Sequence, residues 1–282
     1  LKKIKSLKKK VIFISNAPRK SIKIKKFLNQ IGLKKSLYFD VVSSGDITYE
    51  NYLIRLKKKK YYFISAKKDK DFCNGLKIVE EKDLKKSEFI LNLGLNEGEV
   101  INKYIRILSE AAKMSLLMIC VNPDLEIIRG KSKEICAGAL ALKYKELGGK
   151  VKYFGKPYAD IYKKTMRKAN IKNKNKILAI GDSLRTDILG ANNFQIDSAL
   201  VLSGIHSKIK EIEKICKKTK IKNKSKILAI GDSLRTDILG ANNFQIDSAL
   251  VLSGIHSKIK EIEKICKKTN IYPKFLFNTL KW

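Results

Sequence analysis

The chain has 282 residues, 44% of them apolar and 8% aromatic, enough for a sizeable core and too much for wholesale disorder. No apolar run approaches the about 20 residues of a membrane span, which excludes an integral membrane protein built of helices. The formal charge of +34 rests on 61 basic residues of which only seven are arginine, so the lysine excess reads as compositional drift, not as a specific nucleic-acid surface.

The opening LKKIKSLKKK-VIFIS imitates a signal peptide, but its apolar stretch is far shorter than the roughly 7–15 residues such a segment needs. The expectation is a basic helix feeding a buried strand in a cytoplasmic protein. VIFIS (11–15) is a β-rich run suited to a buried parallel strand. Helical spacing follows over 21–33, at Ile22, Ile24, Phe27, Leu28 and Ile31, with Gly32 as a stop. FDVVSSG (39–45) is the next strand, and a helix begins near Asp46.

The middle holds strand-like YYFIS (61–65), LKIV (76–79) and FILNLG (89–94), a helix over about 97–113, LLMICVN (116–122), and a helix over about 133–147. VKYF (151–154), a helix from Pro157, KILAI (176–180), a helix through ILGANN and ALVLSG (199–204) then continue a βαβ rhythm. The predicted fold is α/β: a doubly wound, Rossmann-like parallel sheet with an inserted α/β module. The expected divisions are core over 1–56, insert over 57–150, core again over 151–220, a duplicate over 221–270, and a closing segment over 271–282.

That duplicate dominates the chain. Residues 171–220 and 221–270 agree at 48 of 50 positions, differing only at Asn175/Ser225 and Lys220/Asn270. Two near-identical copies mark a recent duplication or an error of sequence assembly, not a solenoid. The first copy is expected to dock in the core because its tether from Lys156 is short. The second is expected to be splayed out or to extend a sheet edge.

In an open parallel sheet, ligands sit at the carboxyl ends of strands. Ser15 and Asn16 follow VIFI, Gly155-Lys156-Pro157 follows VKYF, and Asp182 to Asp187 follows KILAI. The serine and asparagine offer neutral groups for phosphoryl oxygens. A lysine beside a helix start that opens on proline suits an anion. Asp182 and Asp187, repeated as Asp232 and Asp237, suit Mg²⁺ shared with a phosphate. The alternatives are a plain Ser-Asn turn, a solvated lysine, a helix cap at Asp182 and a dipole-complementing acid at Asp187. Asn122-Pro123-Asp124 reads as a substrate contact through Asn122 or as a plain turn. His206 and His256 read as loop histidines and Trp282 as core filler. Five cysteines without CxxC spacing (73, 120, 136, 216, 266) read as reduced thiols.

VIFISNAPR, FDVVSSGD, the stretch 122–162 ending in GKPYADIY, and ILAIGDSLRTDILGAN, in that order, resemble the haloacid dehalogenase (HAD) superfamily, class IIA, the NagD-like branch. The resemblance implies a Mg²⁺-dependent phosphatase acting on a small phosphorylated metabolite through an aspartyl-phosphate. It implies that Ser15 binds the transferring phosphoryl group and Lys156 neutralises its charge. Asp182 would hold Mg²⁺ with support from Asp187, and the insert would be a cap. The family's nucleophilic aspartate belongs ahead of VIFIS, where the ten residues present include no acid. With Leu1 first, the chain is expected to begin inside a longer one and to be inactive as it stands. The alternative is a non-catalytic relative that binds a phosphometabolite or a protein.

Overall fold

The computed structural model describes residues 1–129, 132–201, 227–252 and 259–277, in two compact units, Leu1–Asn170 and Ile171–Trp282.

In the first unit, α1 (Lys2–Ser6) leads into β1 (Ile12–Ser15), and α2 (Ser21–Gln30) crosses to β2 (Asp40–Ser43), which pairs with β1 in parallel. β1 is half-buried along its length, where full burial was expected. Among the described residues it has a neighbour on one side only. α2 forms where the periodicity predicts, yet its stripe stays open, with Ile22 and Phe27 more than half exposed. α3 (Ser44–Asn51) starts at a capping box: the Ser43 hydroxyl accepts the Asp46 N–H, and the Asp46 carboxylate accepts the Ser43 N–H. Asp46 also accepts the Ser21 N–H at 3.0 Å, tying the starts of α2 and α3 together.

The middle of the chain contributes β3 (Lys60–Ile64), β4 (Val79–Glu80), β5 (Phe89–Asn92) and β6 (Leu117–Cys120), with α4 (Ile105–Lys113) before β6. After β6 come a hairpin of β7 (Glu126–Arg129) and β8 (Ser132–Ile135), then α5 (Ala137–Glu146) and β9 (Lys150–Tyr153). The sheet is parallel throughout, in the order β4-β3-β5-β6-β9. Ile64, Ile90, Leu108, Met118, Leu140 and Tyr144 form its core. The Tyr144 hydroxyl donates to the Leu116 carbonyl at 2.5 Å.

VKYF contributes to β9, whose residues 150–153 pair with β6 and so lie in one sheet with β3 to β5. The helix expected from Pro157 begins at Ala159, as α6 (Ala159–Ala169), after a cis Lys156–Pro157 bond. α6 is fastened to earlier elements by charge. Lys164, nearly buried, donates to Glu50 at 2.5 Å, and Asp40 is held by both Lys168 and Lys25 at 2.6 Å.

The second unit contains β10 (Leu178–Gly181), α7 (Leu189–Phe194) and β11 (Asp197–Val201) from the first copy. Their counterparts are β12 (Ile227–Gly231), α8 (Leu239–Phe244) and β13 (Asp247–Val251), followed by α9 (Ile259–Thr269) and β14 (Phe275–Phe277). Its parallel sheet runs β10-β11-β12-β13-β14. Leu178 sits opposite Asp197 and Leu228 opposite Asp247, the same register in both copies, and β11 pairs directly with β12. The second copy is therefore not splayed out. It lies inside the sheet, while β10 of the first copy forms the edge. Leu178 and Ile180 are 50% and 53% exposed, whereas Ile230, the twin of Ile180, is 5% exposed. The strand sequence is the same; a neighbour on each side of β12 makes the difference.

This pairing gives an internally controlled test. Ile230→Ala should lower the stability of the second unit by about 2–5 kcal/mol, as for a buried isoleucine. Ile180→Ala should stay within about 0.5 kcal/mol of the parent; urea denaturation of the two variants side by side reads the contrast. A second test concerns Asp40. Burial works to raise its carboxyl, but hydrogen bonds from Lys168 and Lys25 prevail and hold it well below the usual range. A carboxyl depressed in the folded state contributes its stability at higher pH and loses it as pH falls, here progressively below about pH 4. Asp40→Asn should therefore flatten the acid limb of the stability curve and converge with the parent at the lowest pH.

Candidate functional site

The sequence-predicted residues fall in both units. Ser15, Asn16, Asn122 and Lys156 belong to the first; Asp182, Asp187, Asp232 and Asp237 belong to the second.

In the first unit the strand ends are joined by neutral side chains. The Ser15 hydroxyl, at the end of β1, accepts the Ala17 N–H at 3.1 Å, which leaves its own proton directed elsewhere. Asn16 is 4% exposed. Its amide nitrogen donates to Asp124 Oδ1 at 2.9 Å and to the Lys156 carbonyl at 3.1 Å, and its oxygen accepts the Lys156 N–H at 2.7 Å. Gly155 makes this approach possible: with φ +101°, a Cβ there would lie 2.6 Å from Asn16 Oδ1 and 2.8 Å from Ser44 Oγ. The Ser44 hydroxyl in turn lies against the carbonyls of Val121 and Phe154. Asn16 and Lys156 are thus brought together, with Ser15 beside them only as the chain neighbour of Asn16. Asn122 joins them indirectly, since its side-chain oxygen accepts the Asp124 N–H at 3.0 Å, the turn alternative for Asn-Pro-Asp.

Tyr153 and Tyr158 stack at 5.6 Å on either side of the Gly155-Lys156 turn. Burial pushes the Tyr158 hydroxyl up to about 12, so it stays protonated across the physiological range. Burial likewise pushes the Cys120 thiol, at the end of β6, far above its ordinary value, which makes it a packing residue and not a nucleophile.

Two features escaped the sequence reading. Arg19 Nε donates to the buried Asp69 at 2.6 Å, joining the loop after β1 to the turn after β3 beside a cavity of about 230 Å³. Asp124 contacts Asn16 across 108 positions of sequence. Arg19 carried one usable signal, as one of seven arginines in the chain. Asp124 carried none, because its partner lies in a distant segment.

In the second unit, Asp182 directly follows β10, and residues Leu184–Ile188 form a wide π turn in which the Ile188 N–H reaches back to the Ser183 carbonyl. Asp187 Oδ2 accepts the Ser183 N–H at 3.1 Å. The duplicate repeats this, with Asp237 Oδ2 accepting the Asp232 and Ser233 N–H groups at 2.9 and 3.1 Å. A Cβ on Gly181 or Gly231 would fall within 2.3 Å of the carboxylate of Asp187 or Asp237, so only glycine lets the acid fold back over the strand end. Asp187 and Asp237 therefore shape their turns with one oxygen. Among the described residues no three His, Cys, Asp or Glu side chains gather into a metal-holding group. Mg²⁺ commonly takes only one or two carboxylates and completes its shell with water and phosphate, so an acid pair in each copy fits its donor chemistry. His206, His256 and Trp282 lie outside the described residues.

Residues 153–221 and 211–281 each match the family model described as HAD-hydrolase-like, one match for each copy of the acidic motif. No curated protein sequence matches the chain. Among solved structures, a haloacid dehalogenase-like hydrolase from Brucella suis 1330 is similar over 72% of this chain and 76% of its own, at 29% identity and a TM-score of 0.68. A thermostable NPPase double mutant from Geobacillus stearothermophilus covers 72% of this chain and 81% of its own, at 21% identity and a TM-score of 0.56. A glycerol phosphate phosphatase from Mycobacterium tuberculosis, solved with calcium and with magnesium, shares the fold over 75% of this chain; with calcium the match covers 62% of its own, at 17% identity and a TM-score of 0.58. Residues 153–281 are thus similar to the HAD-hydrolase-like family, and the parallel sheets flanked by helices share the fold of the haloacid dehalogenase-like hydrolase from Brucella suis 1330.

Proposed function

We propose that this chain, a class IIA, NagD-like relative, binds the phosphoryl group of a small phosphorylated metabolite at the strand ends of its first unit. The insert acts as cap, and the setting is the cytoplasm. The observation that supports this reading is the hydrogen-bonded fastening of Asn16 to Lys156 between the ends of β1 and β9, with Ser15 next to Asn16 at the end of β1. Ser15 keeps its hydroxyl proton for a phosphoryl oxygen, because the N–H of Ala17 already occupies its acceptor side. Lys156 supplies the positive charge that offsets the phosphate.

Asp182 and its twin Asp232 would hold Mg²⁺, with Asp187 and Asp237 supporting them through the turn. When bound, the ion would supply positive charge at the strand ends of the second unit. Class IIA chemistry uses an aspartyl-phosphate; the second reading is a non-catalytic relative that binds the phosphometabolite.

Orthovanadate titrated into the full 282-residue chain tests the first unit. Binding should persist at about 0.3 M salt, where the lysine background is screened, and weaken about tenfold in Lys156→Ala. Identical affinity in Lys156→Ala and Ser15→Ala would overturn the reading. For the metal, calorimetric titration with Mg²⁺ should give two sites per chain, one lost in Asp182→Asn and the other in Asp232→Asn; an unchanged stoichiometry in both variants counts against these acids.

A further inference from the structure

We propose that Asn16 is a positioning residue, holding the backbone of Lys156 in place and coupling that lysine to the loop after β6 through Asp124. This rests on the reading of Lys156 as the phosphoryl-binding cation. The expectation for Asn16 was substrate contact, and the geometry points elsewhere. Both protons of its amide nitrogen are committed, one to Asp124 and one to the Lys156 carbonyl, and its oxygen holds the Lys156 N–H. One side chain thus satisfies the N–H and the C=O of a single residue, as a neighbouring strand would. Pro157 follows without an N–H, so the one backbone bond that closes the turn comes from Tyr158, whose N–H donates to the Gly155 carbonyl at 2.9 Å, and the Lys156 peptide groups depend on Asn16.

Asn16 is also buried, and the missing side chain of Gly155 lets it approach. A buried amide with every hydrogen-bonding group engaged is costly to remove, because its partners are left unsatisfied. Asp124 brings in a second segment: its N–H is held by Asn122 and its carbonyl accepts the N–H of Gly138 at the start of α5. Movement of the hairpin and helix that follow β6 is therefore transmitted to the lysine through one amide.

The pattern of donors and acceptors supplies the test. Asn16→Ala should raise hydrogen exchange at the Lys156 amide and weaken orthovanadate binding by the full chain about tenfold, with unchanged circular dichroism. Asn16→Asp alone should bind at least as poorly, since it faces Asp124 with a second carboxylate. The double variant Asn16→Asp/Asp124→Asn restores the bond between 16 and 124 and the acceptor for the Lys156 N–H, but not the donor to the Lys156 carbonyl, so it should recover part of the affinity lost in Asn16→Asp. If Lys156→Ala loses vanadate binding while Asn16→Ala binds like the parent, the positioning role is overturned and the phosphoryl reading stands. If Lys156→Ala itself binds like the parent, both fall. Failure of the double variant to exceed Asn16→Asp also overturns the role. Should Asn16→Ala lose its circular dichroism, the comparison of single and double variants decides.

Discussion

The first unit depends on how its strand ends are satisfied. Parallel strands that finish beside one another leave carbonyls and N–H groups pointing into a space too buried for bulk water, and each must find a partner. Two neutral side chains do most of this. Ser44 lies against Val121 and Phe154, and Asn16 holds both backbone groups of Lys156. Neutral groups suit the place because they satisfy the backbone without burying a charge. Gly155 is the steric condition for both contacts. The functional candidates Ser15 and Lys156 are the residues next to this fastening.

Much of the architecture was legible because parallel strands buried on two faces are short apolar runs, and YYFIS, FILNLG and LLMICVN all became strands of one sheet. The same rule could not say which sheet a strand would join. VKYF has the composition of any buried strand, and only its hydrogen bonds to β6 place it beside that strand. The β7–β8 hairpin was missed because EIIR and SKEI are polar, short and without a strong turn signal between them. α2 shows the reverse limit: periodicity made the helix, but Ile22 and Phe27 remain exposed, since an apolar stripe does not create the surface that would cover it.

The candidate site was legible by position and less so by role. Among the strand-end residues, Asn16 and Lys156 are joined by hydrogen bonds in the first unit, and Asn122 reaches Asn16 through Asp124. Asn16 and the side-chain oxygen of Asn122 are engaged by the protein itself, and the partners that engage them, Lys156 and Asp124, were visible only after folding. In the acidic motif, Asp187 and Asp237 accept backbone N–H groups of their own turns, a capping contact that the sequence reading had offered for Asp182.

The duplicated sheet has an evolutionary consequence. Two stretches of nearly one sequence occupy unequal places, β10 at an edge and β12 in the middle. Mutational tolerance differs accordingly, position by position: polar replacements at Leu178 or Ile180 meet solvent, while the same changes at Leu228 or Ile230 meet neighbouring strands. The two differences between the copies fall outside these four strand positions. Divergence from here should be lopsided, with the first copy drifting toward polar residues and the second keeping the ancestral strand.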